Sequence, residues 1–168
     1  MSDALVPIIM GSKSDQQHAQ QIAVALAGLG LESELRIASA FTSPGHLLTM
    51  LTRYERDPRP KVYIAVSSLN NALAGAIDAT TAWPVIACPP RAEAFGGADV
   101  FSSLRLPGGL APAVVLDPGS AALLAAKILG VADAELRERV REGQRARTER
   151  LVAEDAELQG EPNANHNP

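Results

Sequence analysis

The sequence predicts an α/β fold: a doubly wound parallel sheet in three layers, with a long helix at the C-terminal end. Three observations carry this. Short apolar runs recur along the chain at 4–9, 61–66, 84–87 and 112–116, with a strictly alternating run at 31–37. Segments with helical spacing lie between them. Turn and breaker residues separate the two kinds of segment, most clearly Gly11 and "DPRP" at 57–60.

Each element follows in order. Residues 4–9 form a continuous apolar run, which reads as a strand buried on both faces. Residues 16–29 place Ala19, Ile22, Leu26 and Leu29 on one helical face. "LESELRI" (31–37) alternates, with Leu31, Leu35 and Ile37 on one side, as a second strand does. A helix follows from about Pro44 to Arg56, with Leu47, Leu48, Leu51 and Tyr54 as its apolar face. "KVYIAV" (61–66) is a third strand, 71–82 an Ala-rich helix and "PVIA" (84–87) a fourth strand. "CPPRAEAFGGAD" reads as a loop leading to a short helix near "VFSSLRL". Residues 112–116 are the fifth strand and 119–130 a helix of small residues. The last helix runs from about Asp133 to Leu158, highly charged, with Leu136, Val140, Leu151 and Leu158 as an apolar stripe.

Strands alternating with helices imply parallel βαβ units, here in a flavodoxin-like arrangement. Right-handed crossovers place the strand C-termini along one edge, where open α/β sheets keep their sites. The expected site is therefore the set of loops beginning at Gly11, Ser39, Ser67 and Cys88. A chain of 168 residues without repeats is expected to form one domain over 1–158, with a disordered tail over 159–168.

Bulk properties narrow the function. The net charge of −4 argues against non-specific nucleic-acid binding. No apolar stretch approaches the ~20 residues of a membrane helix, and the start lacks the basic region of a signal peptide. A single cysteine, Cys88, cannot form an internal disulfide, which fits a reducing, cytoplasmic setting. His18 and His46 read as helix-surface residues, and His166 falls in the tail. No grouping of His, Cys and carboxylates has metal-ligand spacing, so neither metal nor cofactor is expected. Cys88, before two prolines, reads as a buried small residue rather than a nucleophile.

The first loop, "MGSKSD" (10–15), joins a strand to a helix. Gly11 permits a tight turn, and Ser12, Ser14 and Asp15 bring polar groups to a helix N-terminus, where exposed N–H groups attract phosphate. The competing reading is that Ser14 or Asp15 is an N-cap. The loop is neither a Walker motif nor a dinucleotide fingerprint.

"IIMGSKSD" resembles the start of the PurE family, the aminoimidazole ribonucleotide carboxylases and mutases of purine synthesis. "RIASA", "YERDPRPKVYIAV", "PVIACPP", "GGADVFSSLRLPGG" and "SAALLAAKILG" extend the likeness in order through about residues 4 to 157, and they resemble the class II branch, which uses free CO2. The resemblance implies that Gly11, Ser12, Ser14 and Asp15 hold a ribose 5-phosphate and ribose hydroxyls. It implies that Ser39, with Ala40 beside it, helps to hold the phosphate. "SSLRLPGG" resembles a segment that closes the site from a neighbouring subunit. Ser102, Ser103 and Arg105 match there, although Gly108 stands where serine is usual. Arg105 is the cationic candidate for the phosphate. The family's last helix reaches onto a neighbour in a homo-octamer, which implies a homo-oligomer here.

Two loops depart from the pattern. The family's second turn reads Ser-Ala-His followed by Arg or Lys, and the histidine moves the proton at the carbon that gains or loses carboxylate. Here those positions are Phe41 and Thr42. Class II members read Ala-Gly-Arg-Ser-Asn after the third strand, around the base and CO2. Here Ser67, Ser68, Leu69 and Asn70 replace the first four, and Asn71 matches. A positioned acid–base group typically supplies about 10²–10⁴-fold, and phenylalanine is neither acid nor base. His46, five residues on, is the one nearby substitute. Three readings follow: an enzyme with a rebuilt base pocket, moving a carboxyl group on a related anionic heterocycle in a specialised pathway; the ordinary carboxylase step with an altered site; or a ligand-binding or co-assembling protein without turnover.

Overall fold

A computed structural model describes residues 3–90 and 94–160. Five parallel strands form one sheet in the order β2-β1-β3-β4-β5. They are β1 (Leu5–Met10), β2 (Glu32–Ile37), β3 (Tyr63–Val66), β4 (Val85–Ala87) and β5 (Ala113–Val114). The helices are α1 (Gln16–Gly28), α2 (Pro44–Glu55), α3 (Ala72–Asp78), α4 (Phe101–Leu104), α5 (Pro118–Leu129) and α6 (Ala134–Gly160). This is the flavodoxin-like α/β fold with helices on both faces.

Alternation along β1 builds the two cores. Val6, Ile8 and Met10 face Ala19, Ile22 and Leu26 of α1 and the alanines of α5. Leu5 and Ile9 face Leu47, Leu51 and Tyr54 of α2 and Leu73 and Ile77 of α3. Burying each such Leu or Ile contributes about 1.5–3 kcal/mol, so a run apolar at every position is what a central strand requires.

The "DPRP" breaker becomes a braced turn. Asp57 Oδ1 accepts from the Arg59 backbone at 2.9 Å, and Lys61 Nζ donates to the carbonyls of Asp57 and Arg59 at 2.7 and 2.6 Å. Lys61 is fully buried, with its ammonium 4.7 Å from the Trp83 ring centre. This turn feeds β3, whose C-terminal end carries the third site loop.

Several boundaries differ from the sequence reading. β5 is two residues long, although Val115 N still bonds Ala87 O at 3.0 Å. α3 stops at Asp78 because the next turn tightens, with Thr80 N bonding Ile77 O. On α2 Met50 is buried beside Leu47, Leu51 and Tyr54, and Leu48, expected on that face, is half exposed. Leu35 and Ile37 are also exposed: β2 is the edge strand, and helices cover only the Leu31 end of that face. On α6, Leu136 and Val140 are buried, whereas residues 141–159, Leu151 and Leu158 included, are exposed over roughly 30 Å of helix. The expected tail over 159–168 lies almost wholly outside the described residues, as does His166. No described helix is long and apolar enough to cross a membrane.

Candidate active site

Three loops leaving β1, β2 and β3 converge on one cleft. Its lining includes Gly11, Ser12 and Asp15 from the first, Ser39, Ala40, Phe41 and Thr42 from the second, and Ser67, Ser68, Leu69 and Asn70 from the third. The start of α3 adds Ala72 and Leu73. Gly11 joins two of these loops, with its backbone N–H bonding Val66 O at 2.8 Å.

Ser12 caps the turn that precedes α1. Its hydroxyl accepts from the Ser14 backbone at 3.2 Å and the Ser14 hydroxyl at 3.0 Å. Ser39 is used the same way: its hydroxyl accepts from the backbone of Phe41 at 3.3 Å and of Thr42 at 3.1 Å. Ser43 braces that turn by accepting from Ser39 N at 3.0 Å. A hydroxyl whose two acceptor positions are taken presents its O–H as a donor. Ser12 and Ser39 are thereby both set as donors at the cleft, which suits an anion.

Asp15 occupies the N-cap position of α1, yet its side chain makes no cap hydrogen bond. It is buried, and burial pushes its carboxyl above the usual carboxylate range. Hydrogen bonds from the Ser68 side chain and the Ser12 backbone, and the nearby His18, pull the other way. The simple N-cap reading thus fails for Asp15, and it fails for Ser14, which donates to the cap rather than being one.

His18 is a correction. It is half-buried rather than a surface residue, with Nε2 3.3 Å from Cys88 Sγ. Burial lowers its pKa, against the pull of Cys88, Asp15 and Asp117. Cys88 is fully buried, and burial pushes its thiol up to about 12, so it stays protonated and is no nucleophile. This pair backs Asp15 from behind the cleft. Seventy residues separate the partners, and no local pattern joins them. Only the expectation that loops from β1 and β4 share one sheet edge could have suggested it.

The third loop is fixed by its asparagines. Asn70 Oδ1 accepts from Ala72 N at 2.9 Å, and Asn71 Nδ2 donates to the carbonyl of Ser102. Ser102 is therefore tied to the third loop through Asn71, and its own buried hydroxyl has no hydrogen-bond partner among the described residues. Ser103 is buried, and Arg105 is exposed; neither lines the cleft. His46 is exposed in the first turn of α2 and is not among the lining residues. Ala72 and Leu73 are lining residues that the sequence reading did not assign to the site.

Phe41 and Leu69 are 73% and 74% exposed. Asp15 is the one ionisable side chain among the described lining residues. No group of three or more His, Cys, Asp or Glu able to hold a metal occurs among the described residues.

Comparison with known proteins shows the family. The family described as AIR carboxylase matches residues 5–150. The chain is 43% identical over 154 residues to a phosphoribosylaminoimidazole carboxylase of Treponema denticola, covering 92% of this chain and 97% of that one. It is 44% identical over 151 residues to a protein of the same name from Archaeoglobus fulgidus, covering 90% and 83%. The crystal structure of Treponema denticola PurE superimposes with a TM-score of 0.91 at 42% identity, covering 92% of this chain and 98% of that one. With a family match over residues 5–150 and more than 40% identity over nearly its whole length, the chain belongs to the AIR carboxylase family.

Proposed function

We propose that the cleft binds a phosphorylated aminoimidazole riboside, or a closely related anionic heterocycle, and adds, removes or migrates a carboxyl group on it. The observation that carries this is the convergence of two pre-set serine donors, Ser12 and Ser39, with the buried carboxyl of Asp15 in a member of the AIR carboxylase family.

The roles follow from the chemistry. The Ser12 and Ser39 hydroxyls and the N-terminal end of α1 receive the phosphate. Asp15 accepts from ribose hydroxyls. The heterocycle lies across the Phe41 and Leu69 side, with Ser67, Ser68 and Asn70 along its edge. Phe41 and Thr42 cannot exchange a proton near neutral pH. The proton at the reacting carbon is therefore carried by the substrate, by water or by another residue. CO2 enters or leaves as the free gas, and no cofactor is required.

The protein acts as a homo-oligomer in this reading. The exposed arm of α6 and the exposed Arg105 are the parts that a neighbouring copy would engage, and an octamer is the state we expect. Arg105 then meets the phosphate of a neighbour's cleft.

Label exchange tests the reaction. The protein is incubated with aminoimidazole ribonucleotide, its 4-carboxylate and 13C-bicarbonate, and incorporation of label is followed by NMR. Incorporation above the uncatalysed rate supports the proposal. Binding without incorporation favours a ligand-binding protein, the reading suggested by Phe41. Neither binding nor incorporation overturns both.

A further inference from the structure

We propose that the cleft selects the uncharged form of its heterocycle, with Phe41 and Leu69 as the specificity-determining residues, so that the uncarboxylated ribonucleotide binds more tightly than the carboxylated one. This rests on the reading that a phosphorylated aminoimidazole riboside is the ligand.

The lining divides by polarity. Ser12, Asp15 and Ser39 form one side, and the donors already set by hydrogen bonding are there. Phe41 and Leu69 stand on loops from β2 and β3, and each leaves about three-quarters of its surface uncovered. Ala40, Ala72 and Leu73 continue the apolar surface. An uncharged flat ring can cover these side chains and stack on the phenyl group.

A carboxylate on that ring meets different surroundings. No cationic side chain occurs among the described lining residues, and the single charged group is the acidic Asp15. The donors on that side are neutral ones: Asn70 accepts from Ala72 N through its carbonyl oxygen, which leaves its amide N–H groups and the hydroxyls of Ser67 and Ser68. A carboxylate there exchanges hydration for neutral donors beside the acidic Asp15, with no described cationic side chain to pair with it, a deficit of about tenfold or more in affinity. The bound equilibrium accordingly leans toward loss of CO2. The C–C bond to the carboxyl breaks and CO2 leaves neutral; the electron pair stays on the ring carbon, that carbon takes a proton from water, and the negative charge departs as hydroxide.

Calorimetric titration of the full-length assembled protein at pH 7 tests this, with aminoimidazole ribonucleotide and its 4-carboxylate as the two probes. The expected result is at least tenfold tighter binding of the uncarboxylated form. Leu69→Arg, a change at an exposed position, is expected to narrow or reverse that ratio, with melting temperature and near-UV circular dichroism confirming an intact fold. Equal or tighter binding of the carboxylated form by the native protein overturns the selectivity while leaving the proposed ligand class standing. An unchanged ratio in a folded Leu69→Arg protein removes Leu69 from the account. Failure of both probes to bind overturns the ligand class and the selectivity together.

Discussion

The two sides of the cleft are made from the same kind of segment, a loop leaving the C-terminal end of a parallel strand, yet they hold their side chains in opposite ways. On the Ser12, Asp15 and Ser39 side, local hydrogen bonds fix the two hydroxyls before any ligand arrives, and burial holds Asp15. On the Phe41 and Leu69 side, large apolar side chains stand mostly in solvent. The first side is organised in advance for an anion, and it carries a folding cost in the burial of Asp15. The second gains its cover only from a ligand or a neighbouring chain. A pocket of this kind keeps its grip on the common part of a ligand class while its contact with the variable part is free to change.

The largest expected effect comes from removing the Asp15 charge. Asp15→Asn should weaken ribonucleotide binding by about 10- to 100-fold, the loss of a hydrogen bond to a charged group. The same change should raise the melting temperature at pH 7. The sign follows from the raised carboxyl: its stability contribution is complete below the unfolded value of 3.8 and is lost as pH rises through the higher folded value. Titration and thermal melting measure both effects, and a fall in both would make Asp15 a structural residue.

Ser12→Ala should cost about three- to tenfold in affinity, a neutral hydrogen bond's worth. Ser39→Ala should cost as much and also lower stability by about 1 kcal/mol, because Phe41 N and Thr42 N lose their acceptor. Phe41→Ala should lower affinity only a few-fold and leave the melting temperature unchanged, since the ring is mostly exposed. A large loss of stability there would show the ring to be packed, and the contrast between the two sides would collapse.

The smallest effect is a pH dependence behind the cleft. His18 is held neutral, with its folded pKa below 6.5. Its contribution to stability is therefore present above that value and lost as pH falls below it. Melting curves from pH 7.5 to 5 should show a decline that flattens in His18→Gln. An equally steep decline in the variant would assign it to other groups.

Much of the fold was legible because β1 and β3 are apolar at every position, a pattern few other elements produce. β5 was overread, since a run of apolar residues does not reveal where a strand's partner ends. Leu35 and Ile37 alternate like buried residues and are exposed, because sequence pattern does not say which strand lies at the edge. The site was legible in its loops and less so in its details. Ser12, Asp15 and Ser39 could be placed at one sheet edge from strand order alone. That Asp15 is buried without a cap hydrogen bond to α1, and that His18 meets Cys88, depends on contacts between distant segments. That Asn71 ties the third loop to Ser102 could not be read from sequence either, since thirty-one residues separate the two.

The central claim is that this chain holds a phosphate through the Ser12 and Ser39 side whatever the other side accepts. The direct test is calorimetric titration of the assembled protein with aminoimidazole ribonucleotide and with the same riboside lacking its phosphate. The account predicts binding of the ribonucleotide, riboside binding at least tenfold weaker, and a smaller gap in Ser12→Ala. Equal affinity for the two compounds, or no binding of either, would contradict it.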